Sequence, residues 1–267
     1  MKHAYVTLMN GGDGYLAGVE ALGRSLVETG SVVPRVVMVT TDVSQSARAQ
    51  LVAQGWTLRV VAPVPSPPND EAIYTRFAQS YTKLRAFELV DLDKIVFLDA
   101  DTVVLSNIDE LFERPSMAAA PDFFMPDRFN SGVMVIEPSE TLFTELMGQL
   151  GHLASYDGGD QGLLNAHWPD WWAMPVEHRL GAGYNMHHFV YQFMSSHPAL
   201  LRSFTAEIKI VHYTLQKPWQ QFNLSGGSQV WWKKFYSANP AANNTWRRRL
   251  HAFQDHTFDR VVGLLGG

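Results

Sequence analysis

The feature that most constrains the fold is an apolar run from Lys94 to Leu105, in which two aspartates, Asp99 and Asp101, stand one residue apart. Its β-branched residues predict a strand buried on both faces, as in a parallel sheet. Ligands of open α/β sheets bind beyond the carboxyl ends of the strands, so both carboxylates are expected at a cleft. Carboxylate oxygens suit Mg²⁺ or Mn²⁺, which can neutralise a diphosphate leaving group. A solvated turn that caps the strand is the alternative interpretation.

Strand and helix patterns alternate before this run. Apolar segments predict three strands, Ala4–Leu8, Pro34–Thr40 and Trp56–Val61. Helical patterns lie between them, from Gly18 to Glu28, with Asp13 as the expected N-cap, and from about Ser44 to Gln54. This order is typical of a parallel sheet with crossover helices.

Further patterns continue the same architecture. Apolar spacing predicts helices over Arg76–Leu89, which carries Lys83, and over Ser139–Leu153. A short strand is expected at Ile208–Val211. Helices are expected over Val230–Phe235 and Trp246–Leu250, so the chain is predicted to end in a helical extension.

Composition excludes several classes of protein. The chain has 267 residues, 46% of them hydrophobic and 18% charged, which is ordinary for a globular enzyme. Its net charge of −5 argues against nucleic-acid binding driven by overall charge. The absence of cysteine excludes disulfides and thiolate chemistry. With no apolar run long enough to span a membrane and no signal-peptide pattern, we expect a cytoplasmic protein.

Three further polar segments carry candidate site residues. Asn130 and Ser131 form a corner that leads into a buried strand. In Asp157-Gly158-Gly159-Asp160-Gln161, two carboxylates flank a glycine pair before a helix, although Asp160 is also a plausible helix cap. His212 follows the last strand and suits Mn²⁺, and Lys217 suits a phosphate. A purely structural histidine is the alternative there.

Together these segments resemble the glycogenin-like retaining glycosyltransferases. The resemblance spans about residues 4 to 219, and its motifs occur in the order of that family. The matching segments are Phe97–Thr102, Ala119–Asp122, Phe129–Val133, Asp157–Gly162, Val211–Tyr213 and Lys217–Trp219.

The resemblance implies an α/β protein with a single GT-A type domain, whose central sheet is mainly parallel and flanked by helices. We expect this catalytic domain to comprise residues 1–219, with a C-terminal helical extension over residues 220–267 packed on it. The implied reaction moves a hexose (glucose, galactose or a related sugar) from a UDP-sugar to a hydroxyl acceptor with retention. The implied cofactor is Mn²⁺, with Mg²⁺ as the alternative ion.

The resemblance also assigns roles to residues. Asp99, Asp101 and His212 are the implied metal ligands, and Asp160 and Gln161 the implied catalytic residues. Lys83 is expected to hold Asp122 or a phosphate oxygen. The implied UDP-sugar-binding residues are Leu8, Asn10, Tyr15, Arg76, Lys83, Asp99, Ala100, Asp101, Asp122, Asn130, Ser131, Asp157 and Lys217.

Several alternatives stay open on the sequence alone. Leu215 stands where family members commonly have a glycine against the diphosphate, so a non-catalytic UDP-sugar-binding module is one alternative. A self-glucosylating primer that uses Tyr191 is another, and a metal-dependent nucleotidyltransferase is a third. The expected partners are the UDP-sugar and a carbohydrate, glycan or small hydroxyl acceptor, with a homodimer also considered.

Overall fold

The computed structural model describes residues 1–67, 75–204, 206–214, 217–220 and 229–240, apart from the side chains of residues 75–79 and 198. These residues form two compact units. The first comprises the described residues of Met1–Leu16, Val32–Ala100 and Asp109–Gly181. The second comprises Ala17–Ser31, Asp101–Ile108 and the described residues of Ala182–Gly267.

The first unit is built on a six-stranded sheet with the strand order β3-β2-β1-β4-β7-β6. The pairings among β3, β2, β1 and β4 are parallel, and β7 pairs antiparallel with β4 and β6. Strand β4 carries the apolar run before Asp99, and its last four residues are all buried, as the sequence predicts. The strands are β1 (His3–Met9), β2 (Arg35–Val39), β3 (Thr57–Val60), β4 (Lys94–Leu98), β6 (Ala118–Pro121) and β7 (Phe129–Ile136).

Helices flank this sheet, which confirms the predicted α/β class. Helices α2 (Gln45–Ala53), α3 (Glu140–Gln149) and α4 (Asp160–His167) belong to this unit. The segment Thr75–Glu88 is helical as predicted but has 3₁₀ geometry, and its apolar residues Tyr81, Leu84 and Phe87 are fully buried in the core. Short 3₁₀ helices occupy Asp13–Tyr15, Asp109–Glu113, Trp171–Ala173 and Val176–His178.

The second unit has a three-stranded sheet with the order β5-β9-β8. Its strands are β5 (Thr102–Val104), β8 (Met186–His187) and β9 (Ile210–His212). Its helices are α1 (Leu16–Glu28, which enters this unit at Ala17), the 3₁₀ helix Ala182–Tyr184, α5 (His188–Ser196), α6 (Pro198–Ser203) and α7 (Gln229–Ala238). Val103, Val211 and Tyr213 form its core with Trp231 of α7.

Three local expectations differ from the structure. Asp13 does not cap α1, because it begins the 3₁₀ helix Asp13–Tyr15 and its Oδ1 accepts a hydrogen bond from the Ser44 backbone N–H at 2.9 Å. Helix α3 ends at Gln149, four residues before Leu153. His212 lies within strand β9 rather than after it.

The C-terminal prediction is tested only in part. Helix α7 confirms the helix expected at Val230–Phe235. The helix expected at Trp246–Leu250 lies outside the described residues, as do residues 221–228, which adjoin the expected domain boundary. That boundary therefore stays a prediction. Among the helices that the structure describes, none combines the length and apolar character that a membrane span requires.

Glu28 of α1 joins α7 through a polar cluster. Its Oε1 lies 2.9 Å from Arg24 Nε and 2.8 Å from Ser237 Oγ, and its Oε2 pairs with Lys234. Burial raises the pKa of Glu28, but the hydrogen bonds from Lys234, Ser237 and Arg24 outweigh it and lower the pKa to about 2. The ionised carboxylate therefore stabilises the docking of α7 on α1.

Replacing Glu28 with glutamine is expected to lower the free energy of unfolding by about 1 kcal/mol near neutral pH, because the cluster is partly solvated. A depressed carboxyl pKa contributes stability above the unfolded-state pKa of about 4.3 and loses it as the pH falls through the folded-state pKa. The difference in unfolding free energy between the wild type and the glutamine variant should therefore become smaller between about pH 4 and pH 2. Urea unfolding across pH measures it, and a deficit that does not change with pH would contradict this role.

Candidate active site

A buried lysine organises the first group of predicted site residues. Lys83, from the 3₁₀ helix Thr75–Glu88, places its Nζ 2.9 Å from Oδ1 of Asp99 and 2.9 Å from Oδ2 of Asp160. Asp99 follows the end of β4, and Asp160 is the first residue of α4. Ser131 of β7 donates from its hydroxyl to Asp160 Oδ2 at 2.7 Å and accepts from Lys83 at 3.1 Å. Side chains from three separate segments thus converge on one ammonium group.

Lys83 stays charged in this environment. Burial alone lowers the pKa of a lysine, but the carboxylates of Asp160 and Asp99 outweigh that effect and raise the pKa of Lys83 above its ordinary value. The expected contact between Lys83 and Asp122 is not formed, because Asp160 and Asp99 occupy the ammonium group. Asp122 is instead held by side-chain amides.

A second hydrogen-bonded group in the same unit is centred on Asp122 and includes Asn130 and Gln161. Asp122 Oδ2 accepts from Asn130 Nδ2 at 3.0 Å and from Gln161 Nε2 at 3.2 Å. Its Oδ1 caps the following loop by accepting from the backbone N–H groups of Phe124 and Met125. Gln161 Oε1 accepts from the Ser131 backbone N–H at 3.2 Å. These bonds hold the start of β7 against the first turn of α4.

The turn before α4 depends on Asp157 rather than on Asp160. Asp157 Oδ1 accepts from the backbone N–H groups of Gly159 and Gly162, each at 3.0 Å. The alternative role of Asp160 as the helix cap is therefore wrong, since Asp160 lies inside α4 and turns its carboxylate to Lys83. Burial and the charge of Asp160 raise the pKa of the Asp157 carboxyl.

Two positioning residues in this unit had not been predicted. Asn165, buried on α4, accepts from the Phe129 backbone N–H at 3.0 Å and donates to the Phe129 carbonyl at 2.9 Å. Ser80 Oγ accepts from the Asp160 backbone N–H at 3.0 Å. Their spacing could have indicated both residues, because Asn165 lies one helical turn after Gln161 and Ser80 lies one turn before Lys83.

The second unit holds its own charged cluster at Asp101. His212 Nε2 lies 3.2 Å from Asp101 Oδ1, and Lys217 Nζ pairs with Asp101 Oδ2. All three side chains are buried. Burial raises the pKa of Asp101, but Lys217 and His212 outweigh it and hold that pKa well below its ordinary value. The carboxylate is thus charged.

Asn185 orients the histidine of this cluster, and it too had not been predicted. Its Oδ1 lies 2.8 Å from His212 Nδ1, while His212 Nε2 faces Asp101 Oδ1 at 3.2 Å. An imidazole next to a carboxylate, with its other ring nitrogen held by a neighbouring side chain, is a donor set found in metal sites.

For the remaining predicted residues, only their positions in the fold are described. Leu8 and Asn10 lie at the carboxyl end of β1, Tyr15 ends the 3₁₀ helix Asp13–Tyr15, and Ala100 is buried between Asp99 and Asp101. Their contacts with a UDP-sugar stay predictions. The side chain of Arg76 and the whole of Leu215 lie outside the described residues.

Comparison with solved structures identifies the fold. The chain is similar to the galactosyltransferase LgtC, with a TM-score of 0.66 and 18% identity, over 88% of this chain and 95% of that one. It is also similar to the glycosyltransferase GlyE of Streptococcus pneumoniae, with a TM-score of 0.64 and 23% identity, over 88% of this chain and 60% of that one. The chain therefore has the fold of the GT-A glycosyltransferases.

Sequence comparison identifies the family. Residues 6–122 match the model of glycosyl transferase family 8. Glycogenin-1 of Caenorhabditis elegans is 36% identical, over 94% of this chain and 59% of the relative. Inositol phosphorylceramide glucuronosyltransferase 1 of Arabidopsis thaliana is 37% identical, over 82% of this chain and 42% of the relative. The chain thus contains a glycosyl transferase family 8 domain, as its motifs predict, and spans only part of these relatives.

Proposed function

We propose that this chain transfers a hexose from a UDP-sugar to a hydroxyl acceptor, with retention at the anomeric carbon. The observation that carries the proposal is the buried Asp101–His212–Lys217 cluster, in a chain whose residues 6–122 match the family 8 model. It offers two ligands for a divalent ion and a cation for a phosphate. The names of the relatives support glycosyl transfer, and one of them is a glycogenin.

The metal ligands that we propose are Asp99, Asp101 and His212, the three residues that the family resemblance implies. Two carboxylates and one imidazole suit Mn²⁺, whereas Mg²⁺ seldom takes a histidine. A divalent ion held there would neutralise the charge that grows on the departing diphosphate. Asn185 would keep His212 Nε2 available as a ligand.

Lys217 supplies a further positive charge for the diphosphate. Its Nζ is held by the carbonyls of Tyr213 and Thr214, at 2.9 and 3.0 Å, as well as by Asp101. These contacts fix the ammonium in place before substrate arrives. Little reorganisation is then needed when charge develops on the leaving group.

Asp160 and Gln161 are the residues that we propose to act beside the reacting sugar. Lys83 and Ser131 hold Asp160 in one orientation, and its negative charge would stabilise an oxocarbenium-like sugar. Gln161 lies next to it on α4, with its amide fixed by Asp122 and Ser131. Asn130 and Ser131 complete the polar groups that the sugar hydroxyls would contact.

A self-glucosylating primer is the second proposed function, and similarity to glycogenin favours it. Tyr191 of α5 is partly buried and packs against the core of the second unit, which disfavours it as an acceptor. Incubation with UDP-glucose followed by intact-mass measurement separates the two functions. A mass increase in hexose steps that Tyr191→Phe abolishes would establish the primer; no increase favours an external acceptor.

The proposed function is tested by a donor screen. Purified protein with Mn²⁺ is given a panel of UDP-sugars, and UDP release is measured with and without EDTA. We expect metal-dependent release from one or two of these donors. Binding of UDP without any release would support the non-catalytic binding module, and the absence of UDP binding would overturn the proposal.

Cytoplasmic location, a carbohydrate or small hydroxyl acceptor and a homodimer also remain proposals. The acceptor must present a nucleophilic hydroxyl, because its oxygen replaces the diphosphate oxygen at the anomeric carbon and UDP leaves. Light scattering at several protein concentrations tests the dimer, since a monomer mass throughout the range would contradict it.

A further inference from the structure

We propose that Tyr156 is a sugar-contacting residue, whose hydroxyl orients Gln161 and donates its own proton to a hydroxyl oxygen of the sugar being transferred. The inference rests on the proposed function and extends it to a residue that neither the sequence motifs nor the implied reaction assigned. Three features of the first unit lead to it.

The first feature is the set of hydrogen bonds that the Gln161 side chain makes. Its Nε2 donates to Tyr156 Oη at 2.8 Å and to Asp122 Oδ2 at 3.2 Å, so both amide hydrogens are used. Its Oε1 accepts from the Ser131 backbone N–H. Gln161 therefore has no amide hydrogen left for a sugar unless one of these bonds breaks. Tyr156 fixes one of the two hydrogens.

The second feature is the proton of Tyr156 itself. The phenol oxygen accepts from Gln161, which leaves the O–H free to donate. Among the residues that the structure describes, no group accepts this proton. Burial is the largest influence and raises the pKa of Tyr156. The hydrogen bond from Gln161 opposes it, and the charges of Asp157, Asp122 and Asp160 raise the pKa further. The hydroxyl thus stays protonated at physiological pH.

The third feature is the accessibility of Tyr156 to a ligand. The Tyr156 residue is 40% exposed, and its hydrogen bond with Gln161 is itself exposed. The neighbouring carboxylates already have donors of their own: Asp122 has two amide groups and two backbone N–H groups, and Asp160 has Lys83 and Ser131. Tyr156 is therefore a neutral donor that a ligand can reach, and a sugar hydroxyl oxygen is a matching acceptor.

The test compares UDP with the UDP-hexose that the donor screen selects, using calorimetry on the wild type and on Tyr156→Phe. Phenylalanine keeps the ring and removes only the hydroxyl. We expect unchanged affinity for UDP and about 3- to 10-fold weaker binding of the UDP-hexose, the effect of one neutral hydrogen bond. Equal losses for both ligands, or no loss for either, would overturn the inference.

Donors that lack one hydroxyl sharpen the test. If Tyr156 contacts a particular hydroxyl, the matching deoxy donor should bind the wild type and Tyr156→Phe equally, while the other deoxy donors keep the difference. A difference of the same size for every deoxy donor would show that no sugar hydroxyl is contacted.

Tyr5→Phe is the matched control. Tyr5 lies near the start of β1, and its hydroxyl bonds to Asp109, so both residues are far from Tyr156 in the chain. This variant should leave the ratio of UDP-hexose to UDP affinity unchanged. Failure of the wild type to bind UDP would refute the proposed function itself. Normal turnover by the wild type with an unaffected Tyr156→Phe would refute only the role of Tyr156.

Discussion

Replacing Asp101 with asparagine is expected to reduce metal-dependent UDP release by at least about 100-fold, because the substitution removes a charged ligand and weakens the stabilisation of the leaving group. The side chain keeps its shape, so steric effects are small. Lys217, which is buried, loses the anion that it pairs with. The variant should therefore also unfold at a lower temperature, since a buried charge is left with a weaker partner.

Initial rates across a Mn²⁺ titration and thermal unfolding of the same samples measure both effects. Asp91→Asn is the matched control, because Asp91 makes only an exposed ion pair with Arg59 and should change neither quantity appreciably. His212→Gln provides a second variant in case Asp101→Asn folds poorly. Wild-type rates in a folded Asp101→Asn variant would contradict the role of Asp101.

Replacing Gly162 with alanine is expected to lower the transfer rate by about 100-fold, because catalytic groups displaced by about 1 Å lose that much. A Cβ at this position would lie 2.5 Å from Asp157 Oδ1 and 2.7 Å from the Tyr156 backbone N. Both distances are shorter than real Cβ contacts, so the turn that positions Asp160 and Gln161 must move. We also expect a loss of about 1–3 kcal/mol in unfolding free energy from overpacking.

Gly148→Ala is the matched control for this variant. Gly148 lies on α3 and has no neighbouring atom within 4 Å of an added Cβ. Alanine there should leave the rate unchanged and stabilise the helix by about 0.5–1 kcal/mol. Urea unfolding and UDP release distinguish the two variants, and equal behaviour of both alanines would refute the steric argument.

The sheet and the positions at its edge could be predicted because they follow from local pattern. The apolar residues of β4 include the β-branched Ile95 and Val96 and are followed by a carboxylate, which suffices to indicate a buried strand that ends before Asp99. The same reasoning located Asn130 and Ser131 at the start of β7. Periodicity also found the helix that carries Lys83, although it could not distinguish 3₁₀ from α geometry.

Which side chains pair was harder to predict, because pairing depends on distances between elements that are far apart in the chain. Lys83 was expected to hold Asp122 or a phosphate oxygen, and of the carboxylates it contacts Asp99 and Asp160 instead of Asp122. Asp157 and Asp160 are equivalent as residue types beside a glycine pair. Only the turn geometry determines that Asp157 binds the helix N–H groups.

A single asparagine that acts through its side-chain amide has no recognisable sequence pattern. Asn165 and Asn185 act through backbone groups or through one ring nitrogen, and neither belongs to a charged motif. Tyr156 is similar, since an aromatic residue before a turn is indistinguishable from a packing residue until its hydroxyl is placed. Supporting residues of this kind therefore emerged only from the structure.

The most direct test of the central claim is the anomeric configuration of the product. The protein is incubated with the selected UDP-hexose, its acceptor and Mn²⁺, the reaction is stopped with EDTA, and the product is analysed by NMR. We predict that an α-configured donor gives only an α-linked product, and that EDTA added at the start prevents its formation. A β-linked product, or transfer that proceeds unchanged without metal, would contradict the proposed retaining, metal-dependent transfer.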